Sequence, residues 1–438
     1  MKFETYDSYK DSEIEWLGEI PNGWNIRRVK DLTFTQSGTT PQSGNPHYYD
    51  NGETYWIRTT DLNNNEVINS EYKITEKAFE DYSLKILPID SVLIAMYGGM
   101  GTIGKNGIVK TKATLNQSVC AVLPKKRKYD SKYFQFYLQY FRPKWELFAD
   151  SARKDPNINQ DAIKNLFLCY PNLDEQKQIA NYLDIKTLKI DKEISILEQK
   201  IEKYKELKQT LIAETVLRGL DKNIELRDSE TQWIGDIPKH WETDRLKNIF
   251  NERADKNLNI KTGEPVTSNI LSVMKDIGVI NHRDKGNVGN KMAEDITNYK
   301  LVYPNDIVVN KMNVMIGSVG ISKEFGALSV VYIILITKKD SYAKYYDYFF
   351  RMKAFQRSLR RIATGILEIR EAVNMTLFMQ EMMTKPPYDE QVKIANYLDE
   401  KTSKIDSIVE VIGKKIEVLK EFRKTLINDV VTGKVKVA

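Results

Sequence analysis

The side chains of this sequence best suited to chemistry are basic and amide groups, and they form no recognisable catalytic set. Arg351, Lys353, Arg357, Arg360 and Arg361 fall within eleven residues that contain no acid. Lys353, Arg357, Arg360 and Arg361 follow i, i+4, i+7 and i+8 spacing, which predicts one helical face able to track a phosphate backbone. Lys125, Lys126, Arg127 and Lys128 form a second cluster, and Arg153 and Lys154 precede the polar run Asp155-Pro-Asn-Ile-Asn-Gln160. Arg58, Asn63 and Asn65 in the first half, and Asn310 and Asn313 in the second, carry paired hydrogen-bonding groups that match adenine and guanine edges. Thr59, Thr60 and Lys311 beside them join the candidate contacts. For any one cluster, a solvated face is as good an account as contact with nucleic acid.

The loop Gly98-Gly-Met-Gly-Thr-Ile-Gly-Lys105 spells both G-x-G-x-x-G and G-x-x-x-x-G-K. Asn106 stands where a phosphate-binding loop needs Ser or Thr for Mg²⁺, and the second-half counterpart, Ile316-Gly-Ser-Val-Gly-Ile321, lacks the lysine. A tight turn between strands accounts for the glycines better than nucleotide binding. Backbone N–H groups there remain able to approach a DNA phosphate, with Lys105 as the candidate side chain. No Asn/Asp-Pro-Pro-aromatic tetrapeptide or H-E-x-x-H is present, and there is no convincing acid pair followed by lysine of the kind a nuclease uses. The only cysteines, Cys120 and Cys169, lack metal-ligand spacing, so neither catalytic residues nor a metal site is expected.

These groups hang on a chain that contains itself twice. Asp11-Ser-Glu-Ile-Glu-Trp-Leu-Gly-Glu-Ile-Pro-Asn-Gly-Trp24 returns as Asp228-Ser-Glu-Thr-Gln-Trp-Ile-Gly-Asp-Ile-Pro-Lys-His-Trp241, and Asp174-Glu-Gln-Lys-Gln-Ile-Ala-Asn-Tyr-Leu-Asp184 returns as Asp389-Glu-Gln-Val-Lys-Ile-Ala-Asn-Tyr-Leu-Asp399. A repeat of this length is a duplicated domain and not a solenoid. The 438 residues allow two sizeable cores, and a net charge of +6 tilts only mildly towards polyanions. The N-terminus is polar without an apolar signal segment, and no run approaches the ~20 apolar residues of a spanning helix. A cytoplasmic protein without membrane contact is expected.

Between the landmarks each half reads as mixed α/β, with β-rich runs such as Ser91–Tyr97 and Asp306–Lys311 bounded by turn residues. A heptad seam follows each body. Its apolar positions are Ile190, Ile194, Leu197, Ile201, Tyr204 and Leu211 in the first copy, and Ile405, Val409, Ile412, Ile416, Leu419 and Leu426 in the second. Both seams are interrupted by a base at the same position, Lys208 and Arg423. Two such seams in one chain can pack on each other as a spacer of about 45 Å for 30 residues; a homodimerising coiled coil is the alternative.

The landmarks, together with Val431-Thr-Gly-Lys434, Gly38-Thr-Thr-Pro41, Tyr55-Trp-Ile-Arg-Thr-Thr-Asp61, Asn116-Gln117 and Phe325-Gly-Ala-Leu-Ser-Val-Val-Tyr332, resemble the specificity subunits of type I restriction-modification enzymes. The resemblance covers almost the whole chain. It implies a noncatalytic protein with two target-recognition domains related by pseudo-two-fold symmetry and separated by a long antiparallel coiled-coil helix pair, each domain reading half of a bipartite double-stranded DNA site. It further implies docking of two methyltransferase subunits, which bind S-adenosylmethionine, and of restriction (motor nuclease) subunits that use ATP and Mg²⁺. Gln176, Tyr182, Gln391 and Tyr397 in the repeated landmark are the expected docking residues, and no cofactor is expected in this chain itself. The expected boundaries are a first recognition domain at 1–168, a spacer helix at 169–226, a second recognition domain at 227–384 and a second spacer at 385–438. Two other readings differ in class: a self-contained DNA methyltransferase or nuclease, and a coiled-coil scaffold without a DNA role.

Overall fold

The computed structural model describes residues 4–98, 101–125, 128–148, 157–286, 292–364 and 372–437. Its contacts divide the chain into two units, Met1–Leu197 with Lys414–Ala438, and Glu198–Gly413. The cuts fall inside two long helices, Leu173–Arg218 of 46 residues and Tyr388–Val431 of 44. Each unit therefore owns the beginning of one long helix and the end of the other.

The first unit is built on a five-stranded sheet in the order Thr35–Ser37, Val119–Val122, Val92–Ala95, Asn106–Val109, Asn65–Val67. All neighbours are antiparallel except the last pair. The run around Val92-Leu-Ile-Ala95 forms a strand buried at every residue, because side chains on both faces meet packed elements. Leu93, Ala95, Val109, Val119 and Ala121 share one cluster with Ile57 and Leu62.

The second unit repeats the first four places of this order in a four-stranded sheet: Phe250–Glu252, Tyr332–Thr337, Ile307–Asn310, Val319–Ile321. Strand alternation divides its core in two. Val308 and Ile334 face Leu271 and Leu328, while Ile307, Val309, Ile333 and Leu335 face the cluster of Trp241, Tyr345, Tyr346 and Phe349. The strand Gly278–Asn281 packs beside Val319–Ile321, and a Cβ on Gly320 would lie 2.6 Å from the Gly278 Cα, so this approach requires glycine. The bodies thus share a strand order that their sequences, poorly alignable between landmarks, do not advertise.

The long helices begin seventeen residues before the heptad pattern, at Leu173 against Ile190 and at Tyr388 against Ile405, because the Asp174–Asp184 and Asp389–Asp399 landmarks are themselves helical. Ile190, Ile194, Ile405, Ile412, Ile416 and Leu426 are buried, and Leu197, Ile201, Tyr204, Leu211, Val409 and Leu419 are half-buried. The bases that interrupt the seams are ion-paired across them. In the first unit Arg423 Nε lies 2.8 Å from Asp191 and Lys415 lies 2.7 Å from Glu193, an antiparallel order; in the second, Lys208 Nζ lies 2.7 Å from Asp406. Asp191 follows Ile190 as Asp406 follows Ile405, so one pairing occurs twice. No helix among the described residues is long and apolar enough to cross a membrane.

Two outcomes are expected. Reversing one seam charge, Lys208→Glu or Arg423→Glu, lowers stability by up to about 1 kcal/mol, the range for partly exposed pairs, and Lys208→Asp combined with Asp406→Lys recovers most of it; chemical denaturation reads both. Burial pushes the Cys120 and Cys169 thiols up to about 12 from 9.0. Neither should react with an aromatic disulfide reagent at pH 8 until the protein is unfolded. Because the folded thiols hold their protons longer than unfolded ones, their contribution to stability is complete below pH 9 and is lost as pH rises towards 12.

Candidate nucleic-acid interface

The site begins where the sheet strands of each unit end. In the first unit the parallel pair Ala113–Leu115 with Thr54–Ile57 brings Asn116 beside the start of the Arg58 loop, its N–H donating to the Ile57 carbonyl at 2.9 Å. Thr39 N–H donates to Leu115 O (3.1 Å), Met96 N–H to Ser118 O (2.9 Å), and Ile158 N–H to Met96 O (3.0 Å). Thr39 and Thr40, Arg58 to Asn65, Met96 to Gly98, Gly101 to Lys105, and Asn116 to Ser118 are therefore gathered at one sheet end.

Arg58 is set back rather than extended. Its backbone N–H donates to Asp61 (2.8 Å), its guanidinium lies 3.5 Å from the centre of the Tyr72 ring, and Nη2 is 3.3 Å from Glu71. Thr59 and Thr60 sit in the short turn that follows, and Asn63 is exposed with its N–H bound to Asn65 Oδ1. A cavity of about 500 Å³ opens next to Arg58, lined among others by Tyr49, Asp50, Trp56, Tyr72 and Asn116. Of these, Trp56 and Asn116 lie in motifs singled out from the sequence, whereas Tyr49, Asp50 and Tyr72 do not.

The glycine loop is held from the protein side. Arg142 donates to the carbonyls of Gly101 (2.9 Å) and Ile103 (3.3 Å). Gly104 has φ +71°, and a Cβ there would fall 2.3 Å from Trp145 Cδ1. Packing thus explains its glycine. Lys105 is half-buried at the end of this turn.

Lys125 does not join this group. Val119–Val122 runs away from Asn116 and Ser118, and Lys125 follows it at the opposite sheet end, its Nζ 5.7 Å above the Phe34 ring. That end is where Asp130 meets the long helix. Lys125 is therefore set apart from the loops around Arg58. Lys126, Arg153 and Lys154 lie outside the described residues.

In the second unit Lys311 and Asn313 follow Ile307–Asn310 at the matching strand end. The Lys311 carbonyl accepts from Val373 N–H, and Ile362 O accepts from Asn374 N–H, which places this loop beside the Leu359–Ile362 turn. Asn313 is exposed, and its backbone closes the turn while its amide makes no cap bond. The single basic helical face is also corrected. The helix Lys353–Ser358 ends after six residues and continues as a tighter turn, so i+7 and i+8 no longer align. Arg361 is ion-paired to Glu381, whose carboxyl is raised by burial and only partly brought down by that arginine. Lys353 lies 3.9 Å from Asp276. Arg357 and Arg360 remain exposed, without an acidic ion-pair partner among the described residues.

The repeated landmarks turn out to bind each other. Trp24 Nε1 donates to Glu175 Oε1 at 3.0 Å, and Trp241 Nε1 to Glu390 Oε2 at 2.8 Å. Gln176 and Gln391 are fully buried. Gln176 accepts from Asp130 N–H (2.9 Å) and donates to Pro171 O (2.9 Å); Gln391 accepts from Tyr342 N–H (2.8 Å) and donates to Pro386 O (2.8 Å). Their assignment to partner docking is corrected, because these amides are consumed in fastening each body to its helix. Tyr182 and Tyr397 are half-buried, each with a lysine one turn on, Lys186 or Lys401, about its ring. Among the described residues no three His, Cys, Asp or Glu side chains gather as metal ligands.

Fold and site together define a duplicated α/β protein whose two units carry unlike loops on one strand order. Residues 21–206 match the family described as Type I restriction modification DNA specificity domain. The Type I restriction enzyme MjaIX specificity subunit of Methanocaldococcus jannaschii is 28% identical over 273 residues, 59% of this chain and 58% of that protein. The putative MjaX specificity subunit of the same organism is 24% identical over 453 residues, 100% of this chain and 99% of that protein. A chain from a structure of a type I R-M system aligns with TM-score 0.70 at 13% identity, covering 95% of this chain and 99% of that one. The HsdS subunit from Thermoanaerobacter tengcongensis aligns with TM-score 0.54 at 14% identity, covering 95% and 98%. The two structures share the fold. The chain is thus similar to the specificity subunits of type I restriction-modification enzymes.

Gln176→Ala or Gln391→Ala is expected to destabilise the protein by about 1–3 kcal/mol, since each removes a buried amide that satisfies the backbone N–H of a half-buried residue, Asp130 or Tyr342. A denaturant midpoint that does not move would return these residues to a docking role.

Proposed function

We propose that this chain is the noncatalytic DNA-reading subunit of its enzyme, acting in the cytoplasm, with each unit reading one half of a bipartite duplex target. Phosphate contacts supply affinity and loop side chains supply base choice. The long helices act as the spacer between half-sites. Two methyltransferase subunits carrying S-adenosylmethionine dock on the repeated surfaces and methylate adenine, and motor nuclease subunits using ATP and Mg²⁺ complete restriction.

The observation that carries this reading is the contrast between the units. One strand order recurs, while the loops at the same strand ends present Arg58, Asn63 and Asn116 in one unit and Lys311, Asn313, Arg357 and Arg360 in the other. A shared scaffold with unlike polar loops suits two different DNA words.

Mapping methylated adenines across the genome in cells with and without this chain is the test. One bipartite motif is expected to lose methylation when the chain is absent; if every motif survives, the reading falls. Arg357→Glu with Arg360→Glu is expected to weaken duplex binding alike for all sequences and to reduce the salt slope by about 1 for each phosphate contact removed. Unchanged affinity and slope would make these arginines a solvated face.

A further inference from the structure

We propose that the cavity beside Arg58 receives a purine base swung out of the first half-site, with guanine as the preferred occupant. The proposal rests on the DNA-reading role given above. The cavity's volume of about 500 Å³ lies within the range of sites that enclose a small ligand. Its floor is Trp56, only 5% exposed, whose indole N–H is already committed to the Thr39 carbonyl at 3.1 Å and whose ring meets Tyr49 edge-on at 5.7 Å. One wall is the stack of Arg58 on Tyr72, and another is Asn116, held by Thr40 Oγ1 at 3.1 Å and by Ser118 N–H at 2.6 Å. Trp56 and Asn116 are thus held in place by the protein's own hydrogen bonds.

Arg58 is half-buried, and its Nε is buried with no hydrogen-bond partner among the described residues. A guanidinium set back in a cavity does not reach base edges on the floor of an intact groove, so the duplex must offer something that projects. Phosphates and extruded bases project. The three aromatic rings and the Asp50 carboxylate disfavour a phosphate and favour a flat heterocycle, which stacks on aromatic faces. Guanine presents acceptors, O6 and N7, to a guanidinium, and N–H donors on its other edge to a carboxylate. Arg58 and Asp50, both lining the cavity, are that complement. At the corresponding strand end of the second unit, Met274 is followed by Lys275-Asp276, and the Asp276 N–H is bound to Gly317 O. The extrusion is accordingly assigned to the first half-site.

The test uses the full chain assembled with its methyltransferase subunits and a duplex bearing the motif found by methylation mapping. At each first half-site position the base opposite is replaced by an abasic analogue, which removes the pairing cost of extrusion. Binding is expected to tighten several-fold at one position, where a cytosine opposite guanine is removed, and the gain is expected to vanish in Tyr72→Ala and Asp50→Asn. Both side chains are exposed enough for these variants to fold, which thermal melting confirms. If every abasic substitution weakens binding or leaves it unchanged while the intact motif is bound selectively, the extruded base is overturned and the DNA-reading role stands. A gain that persists in both variants overturns the cavity as the receptor. No selective binding of the intact motif overturns both.

Discussion

The structure depends on what happens at the first turn of each long helix. Glu175 and Glu390 lie where the helix N-terminus favours negative charge, and each carboxylate also accepts a hydrogen bond from the indole of the repeated tryptophan. One residue on, Gln176 and Gln391 are buried and bind backbone groups of the adjoining body. A charge-assisted bond and a satisfied buried amide are each costly to break, so together they hold body and helix in one orientation. The same tryptophans meet the far end of the other helix. Gly433, at φ +78°, packs against Pro21 and Trp24, and Gly219, at φ +77°, packs against Trp241. Each tryptophan thereby joins the start of one helix to the end of the other within its unit.

This arrangement explains which residues recur in bodies that otherwise diverge. Tyr133 donates to the Val431 carbonyl and Tyr345 to that of Val216, satisfying carbonyls that a helix end leaves open. Lys132 is 3.0 Å from Asp184, and Lys344 is 3.1 Å from Asp399. Lys132-Tyr133 and Lys344-Tyr345 therefore match because both touch the long helices. The paired interruptions of the seam follow the same logic. A base facing an aspartate fixes register at modest cost in stability, where an unbroken apolar seam tolerates a slide.

Freed from structural duty, the loops at the strand ends differ in length, charge and shape. Arg58 is backed by Tyr72 and opens on a cavity, whereas Arg357 and Arg360 stand exposed on a short turned segment. A recessed stack and projecting cations are chemically different surfaces on one scaffold. A common sheet carries both because its buried strands do not depend on the loops beyond them.

Much was legible in the chain itself. Repetition of Trp24, Glu175 and their partners is a covalent fact, and heptad periodicity marked the buried face of both helices because burial on a helix follows 3.6-residue spacing. The β-rich runs at Val92 and Ile307 were readable for the same reason, their apolar residues being continuous. Sequence did not reveal that Gln176 and Gln391 are interior, since an amide is equally at home on a surface until its hydrogen-bond partners are known. Nor did spacing reveal that the arginine stripe breaks at Ser358, or that Lys125 lies at the sheet end away from Arg58, because both follow from where strands turn. The common strand order of the two bodies belongs to tertiary structure alone. Hydrogen bonds between backbones impose it, and backbones leave little trace in the identity of side chains.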